Sequence, residues 1–279
     1  MRWRLLLTDA ANGAWNMAVD EAVACAVSCG QSPPTIRFFR WDPPCLSLGH
    51  NQPYEVVDES FCRANGIGIT RRPTGGRAVL HHRELTYSVV AKWDSPPFAN
   101  GLQENYRLIC AGLVCGLQRL GVAAELSAPA TRLQGPTGAA PCFMQPAGGE
   151  VVVKGRKLVG SAMRRWGAVL LQHGSLLLDW DSRWQAGVLG LASDTELRAA
   201  VVTLKELLGR EPSWETLVET LGQGLALKLE ADFFPGALSQ EERDHARWLA
   251  QEVYSSHAFV VNRQRPVFGF GRQEVGASG

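Results

Sequence analysis

Arg71-Arg72-Pro73-Thr74-Gly75-Gly76-Arg77-Ala78-Val79-Leu80-His81 packs three arginines, two adjacent glycines and an apolar run into one short stretch. Residues 67–72 read as a strand, and Pro73 to Gly76 as the turn that ends it. Adjacent glycines let the backbone reach φ > 0 and approach a ligand closely. Their N–H groups, flanked by Arg71, Arg72 and Arg77, suit phosphate or carboxylate oxygens. A glycine hairpin with exposed arginines is the plain alternative. The arginine density and the abrupt change to Ala78-Val79-Leu80 favour a site.

Working outward, residues 5–7 read as a short strand, and residues 15–27 carry Met17, Val19, Ala22, Val23 and Ala26 at helical spacing. Residues 35–41 are an aromatic-rich strand closed by Pro43-Pro44, with 45–49 as its expected hairpin partner. Asp58 is a candidate N-cap for a short helix ending at Asn65-Gly66. Residues 84–93 alternate as a strand, and 100–120 form a long amphipathic helix. Residues 127–140 are a Pro/Gly/Ala/Thr-rich loop, long enough that function is its usual reason. Residues 150–153, 157–164 and 168–178 read as three strands of a meander. Helical patterns follow at 194–208, 213–229 and 239–255; Ser213 with Thr216 signals one start and Ser239 with Glu242 a capping box. Strands first and helices last predict one α+β domain over residues 1–235. A C-terminal helix and tail over 236–279 would pack on it or extend from it.

The 279 residues are 46% apolar and 20% charged, with a net charge of +1, an ordinary globular composition. The balanced charge argues against nucleic acid and against an anionic membrane, both of which reward a basic excess. Seven cysteines at irregular intervals fit neither a secreted disulfide framework nor a zinc site. The N-terminal apolar run of three leucines is too short for a signal peptide or a span, so a cytoplasmic protein is expected.

Three further constellations could carry chemistry. In Gly155-Arg156-Lys157-Leu158-Val159-Gly160-Ser161-Ala162, a tight turn sets Lys157 at the head of a strand whose small residues leave room for a ligand. An exposed hairpin lysine is the alternative. Gln172-His173-Gly174-Ser175 offers His173, or simply a satisfied strand histidine beside a bulge. Pro141-Cys142-Phe143 closes the long loop; a cysteine attacks as the thiolate, so a cation must lower its pKa from about 8.5. Lys157, fifteen residues on across the expected hairpin, is the candidate cation. A buried inert thiol remains the alternative. No G-x-S-x-G, H-E-x-x-H, Walker A or G-x-G-x-x-G motif occurs, and His81-His82-Arg83-Glu84 has the wrong order for a zincin helix.

Together, five ordered blocks resemble the biotin/lipoate ligase superfamily, and within it the lipoate–protein ligase A-like octanoyltransferases that use a cysteine intermediate. They are Arg40 to Gly49, Arg71 to His81, Glu84-Leu85-Thr86-Tyr87-Ser88, Gly155 to Ala162, and Leu171-Gln172-His173-Gly174-Ser175, preceded by Asn16-Met17-Ala18-Val19-Asp20-Glu21. The resemblance implies a class II aminoacyl-tRNA/biotin synthetase-like fold: a large mixed sheet, a smaller sheet and flanking helices. It makes 1–235 the catalytic domain. Arg71, Arg72, Thr74, Gly75, Gly76, Arg77, Ala78, Val79, His81, Ser161, Ala162, His173 and Gly174 would bind substrate, with Cys142 as nucleophile and Lys157 beside it.

The implied reaction moves octanoyl from acyl carrier protein, through a Cys142 thioester, to a lysine of a lipoyl-carrier protein such as the glycine cleavage H protein. The oxyanion would be held by the Gly75-Gly76 turn or by Ser161-Ala162. No cofactor is implied, because the thioester is already activated. An ATP- and Mg2+-dependent lipoate–protein ligase, forming a lipoyl-adenylate, shares most of these blocks; Cys142 in its Pro-Cys-Phe context favours the transferase. A non-catalytic acyl- or lipoyl-binding module is the reading from another class, and the presence of both Cys142 and Lys157 argues against it.

Overall fold

The computed structural model describes residues 1–98, 101–128 and 148–266. In chain order these form β1 (Arg2–Leu7), α1 (Gly13–Ser28), β2 (Thr35–Phe39), β3 (Cys45–Leu48), α2 (Glu59–Ala64), β4 (Gly68–Arg71), β5 (Val79–His81), β6 (Glu84–Lys92) and α3 (Leu102–Arg119). They continue with β7 (Glu125–Leu126), β8 (Val151–Val153), β9 (Arg156–Trp166), β10 (Val169–Leu177), α4 (Ser182–Gly187), α5 (Thr195–Ala200), α6 (Leu204–Leu208), α7 (Trp214–Leu229), β11 (Asp232–Gly236), α8 (Gln240–Leu249) and α9 (His257–Val260).

An eight-stranded mixed sheet runs in the order β11-β1-β2-β6-β10-β9-β8-β7, and a three-stranded sheet in the order β4-β3-β5. This is the expected α+β architecture. The expected meander is present as β8, β9 and β10, turned between β8 and β9 by Lys154 and Gly155, both at positive φ. One pairing differs. Residues 45–49 are not the hairpin partner of β2, because β2 already has β1 on one edge and β6 on the other. With no free edge there, β3 lies parallel to β4 and antiparallel to β5 instead.

The helices start where short-range chemistry says they should. Asn12, Asp58, Ser213 and Ser239 each accept a backbone N–H of the first turn, and Ser239 with Glu242 forms a full capping box. The expected helix over 194–208 is broken into α5 and α6, because Val201 leaves the helix to bridge Lys157 of β9.

Each face of the large sheet buries a core. On one side, α3 and α7 cover Leu85, Tyr87, Val89, Leu170 and Leu176. They approach closely because Gly112 and Gly116 of α3 face Gly224 of α7; a Cβ on Gly224 would stand 2.3 Å from the Gly112 carbonyl oxygen. On the other side, α1 packs with Leu249, Val253, Tyr254 and Phe259 over Val90, Val169 and Leu171.

The C-terminal segment is tied into this body. β11 runs parallel to β1, a strand that helical patterning alone did not suggest. The guanidinium of Arg4 on β1 donates to both carboxylate oxygens of Glu242 on α8, at 2.7 and 2.6 Å. Beyond α9, Arg265 makes a two-pronged pair with Glu21 of α1, each bond 2.6 Å. None of the described helices is long and apolar enough to cross a membrane.

Candidate active site

β10 lies near the centre of the large sheet with β9 on one side and β6 on the other, and β5 of the small sheet brings Val79 and His81 to this region. Where they meet is a half-open cavity of about 380 Å³, its open mouth included, lined by residues from α1, both sheets and Arg72 just ahead of the Gly-Gly turn. Met17, Trp41 and Val79 give it apolar walls; Arg72, Ser47, His81, Thr86 and Ser175 give it polar ones. Gly160, Ser161, Ala162, His173 and Gly174 form the β9–β10 wall, in the pairing Ala162 to His173 and Ser161 to Gly174. A few polar groups set in an apolar concavity is the usual form of a small-ligand site.

The Gly-Gly turn is held by its own arginine. Arg72 donates to the carbonyl oxygens of Gly75 (2.8 Å), Arg77 (2.7 Å) and Ser47 (2.9 Å). Gly76 sits at φ +91°, and its carbonyl oxygen would be 1.8 Å from a Cβ on Gly49, so two loops touch backbone to backbone. Arg71 does not line the cavity. It is fully buried and donates to the carbonyls of Gly49, Gln52 and Val260 at 2.7–2.8 Å, so it splices the small sheet to the C-terminal helix. Ala78 packs away from the cavity, with Leu46 and Leu48. Gly75 and Gly76 are exposed at the turn, and the Arg77 backbone is part of its clamp.

Two histidines face the cavity, each backed by a carboxylate. His173 Nδ1 lies 3.0 Å from Asp20 Oδ2 and its Nε2 lies 2.6 Å from the Thr74 hydroxyl. Asp20 is completely buried on α1 and also accepts from Arg37 (2.8 Å) and Ser88 (2.9 Å). Burial alone would raise the Asp20 pKa, but the His173 hydrogen bond and the Arg37 charge outweigh it and hold the carboxyl below its ordinary value. Burial pushes His173 below the ordinary histidine value, against the pull of Asp20. His81 Nδ1 lies 3.0 Å from Glu84 Oε1, and its Nε2 lies 2.8 Å from the Ser47 hydroxyl. Trp41 stacks on the His81 ring at 3.8 Å.

Behind Ser161 is a second polar layer. Tyr87 Oη meets Ser161 Oγ at 2.8 Å and accepts from Gln172 at the same distance. Burial raises Tyr87 well above its ordinary value and pushes the neighbouring Cys110 thiol up to about 12, so neither ionises near neutrality. Gly174 makes room for this contact: a Cβ there would fall 2.5 Å from Ser161 Oγ and 2.6 Å from the Gly160 carbonyl.

Lys157 is not among the cavity-lining residues. It is wholly buried, with its Nζ 2.6 Å from Glu150 Oε1. It stands four residues before Ser161 on β9, with a register shift against β8 between the two. Ser127 bonds the segment that carries Glu150: its hydroxyl accepts from the N–H groups of Gly149 and Glu150, and its own N–H donates to the Glu150 carbonyl. Cys142 lies outside the described residues.

The structure thus brings Arg72, Val79, His81, Ser161, Ala162, His173 and Gly174 to one cavity, with Thr74 bonded to its histidine. The sequence reading passed over the partners Asp20, Glu84 and Glu150. Asp20 and Glu84 stood within the quoted blocks as acidic residues whose burial no periodicity disclosed.

A family model described as the lipoyl protein ligase A/B catalytic domain matches residues 12–226. The chain is similar to the octanoyltransferase LipM of Kyrpidia tusciae, with 47% identity over 259 residues, 88% of this chain and 94% of that protein. It is likewise similar to the octanoyltransferase LipM of Symbiobacterium thermophilum, 41% identical over 263 residues, 90% of this chain and 95% of that one. Among solved structures, a lipoate-protein ligase A bound with ATP matches with a TM-score of 0.79 and 26% identity, covering 94% of this chain and 99% of that one.

Proposed function

Because the chain belongs to the lipoyl protein ligase A/B catalytic-domain family, we infer that it is an acyltransferase that moves an octanoyl group onto a lipoyl-carrier protein. The observation that carries this is the 47% identity, over 94% of its length, to a protein named as an octanoyltransferase. The cavity suits the cargo. An octanoyl chain laid against Met17, Trp41 and Val79 would leave water at a gain of about 0.8 kcal/mol per CH2. The polar wall formed by Arg72, Ser47, His81 and Ser175 suits the carbonyl end.

In this reading the donor is an octanoyl thioester on acyl carrier protein and the nucleophile is Cys142. The thiolate attacks the carbonyl carbon, the donor thiol leaves, and the acyl-enzyme is then attacked by the ε-amine of a lysine on the lipoyl-carrier protein. Lys157 is the counter-charge for the thiolate. Its ammonium has three N–H donors, one of which bonds Glu150. No ATP or metal is required, since the energy of acyl activation resides in the thioester.

Incubation with octanoyl-acyl carrier protein, without ATP, tests this by intact mass. One octanoyl adduct, removed by hydroxylamine and absent from Cys142→Ala, is expected. Modification that requires free octanoate with ATP and Mg2+ would make the chain a ligase, like the ATP-bound protein whose fold it shares.

A further inference from the structure

The two imidazole–carboxylate pairs that face the cavity differ in what neutralises the carboxylate. Asp20 accepts from His173, from the guanidinium of Arg37 and from Ser88, so its charge is already balanced by a fixed cation. Glu84 accepts from His81 Nδ1 and from the Thr86 hydroxyl, and among the described residues no arginine or lysine bonds to it. Its other oxygen, Oε2, is buried with no hydrogen-bond partner among the described residues. Among the described residues the Glu84 carboxylate is thus held by His81 and Thr86, whereas the Asp20 carboxylate is shared between His173 and the Arg37 guanidinium.

The geometry around His81 fixes how a proton would reach it. With Nδ1–H directed at Glu84, Nε2 is the acceptor, and the Ser47 hydroxyl 2.8 Å away donates to it. Ser175 Oγ lies 3.1 Å from the same Nδ1 and accepts as a second partner of that N–H. Ser47 and His81 both line the cavity. Arg72 Nη1 donates to Ser47 Oγ at 3.1 Å, so the hydroxyl oxygen carries a cation on one side and a base on the other. Trp41 holds the ring from behind, stacked at an interplanar angle of 10° and tethered by its indole N–H to Thr86 Oγ1 at 2.7 Å. A nucleophile-to-base and a base-to-orienter hydrogen bond in series is the arrangement by which proton acceptors are recognised.

We propose that His81, oriented by Glu84 and Trp41, is the base that takes the proton of the incoming lysine amine, passed through the Ser47 hydroxyl, during acyl transfer. The proposal rests on the transferase reading above. The neutral amine nitrogen attacks the thioester carbonyl carbon and the C–N bond forms. One N–H proton passes to Ser47 Oγ as the Ser47 proton moves to His81 Nε2. The C–S bond then breaks, and the departing thiolate recovers a proton from the imidazolium, giving amide and thiol. Glu84 is a positioning residue, since it acts through His81. The charged and titratable groups facing His81 are Glu84 from β6, Arg72 from the end of β4, and His173 from β10.

The test separates the two half-reactions by intact mass: uptake of octanoyl from the carrier-bound thioester, then its loss to a lipoyl-carrier protein. His81→Gln should slow transfer to the lipoyl-carrier protein about 100-fold or more, the usual weight of a general base, and slow uptake far less than transfer. Glu84→Gln keeps the shape of the site, and should both slow transfer and move the midpoint of its pH–rate profile to lower pH, which a purely structural role would not do. Ser47→Ala should likewise slow transfer more than it slows uptake. Transfer at the parent rate in His81→Gln, equal loss of both half-reactions, or an unmoved pH midpoint in Glu84→Gln would each overturn the proposal. An unmodified protein that takes up no octanoyl at all would overturn the transferase reading instead.

Discussion

Lys157 Nζ lies 2.6 Å from Glu150 Oε1, and both side chains are shut away from solvent. Neither charge has water to fall back on, so removing one takes from the other this buried counter-charge. Glu150→Gln or Lys157→Met alone should cost about 3–5 kcal/mol of unfolding free energy, the scale for breaking a buried pair. The joint replacement Glu150→Leu with Lys157→Met should recover most of that loss. Urea unfolding of the three variants measures it, and additive losses would show that the two residues do not act as a pair.

Gly174→Ala should close the cavity wall. The added methyl would stand 2.6 Å from the Gly160 carbonyl and 2.8 Å from Tyr87 Cε1. Ser161 Oγ can rotate aside, but the carbonyl belongs to the paired strand and cannot. A stability loss of about 1–3 kcal/mol is expected from the overpacking, together with loss of octanoyl uptake, checked by thermal melting and intact mass. Uptake at the parent rate would mean that the acyl chain does not lie against this wall.

His50, His82, His173 and His245 are each held below the ordinary histidine value, with burial the leading cause in every case. The unfolded chain binds protons that these rings refuse in the fold. Stability therefore rises with pH across this range and is lost as pH falls through about 6.5 and below, toward the lowered folded values. Melting should occur at lower temperature at pH 5.5 than at pH 7.5. His82→Gln should reduce that difference by removing one of the four sites. The lowered carboxyls Asp20, Asp179 and Glu242 act in the same direction but only from about pH 4 downward, so the two limbs should be resolvable.

Gly224→Ala should loosen the α3–α7 seam. Its methyl would sit 2.3 Å from both the Gly112 carbonyl oxygen and the Gly116 nitrogen, two backbone atoms that cannot turn away. The helices must separate, at about 1–3 kcal/mol. Chemical denaturation reads the loss; an unchanged midpoint would show that the seam is not tightly packed.

Much of the architecture was legible in the sequence because its causes are local. Asn12, Asp58, Ser213 and Ser239 announce helices within four residues, and the alternation along β6, β9 and β10 fixes strands within a dozen. The Gly75-Gly76 turn, His81, Ser161 and His173 were visible as motif residues for the same reason. The tertiary structure decided the rest. Whether β3 pairs with β2 depends on β1 and β6 having already taken both edges of β2. Whether an arginine meets substrate or holds the frame depends on which carbonyls surround it: Arg71 reaches Val260, 189 residues away. The carboxylates behave likewise. Asp20 finds His173 across 153 residues, while Glu84 meets His81 only three residues off. Local hydrogen bonding and side-chain periodicity operate over one turn or one pleat, so sequence carries them directly. Edge occupancy and charge pairing are settled between segments that only folding brings together.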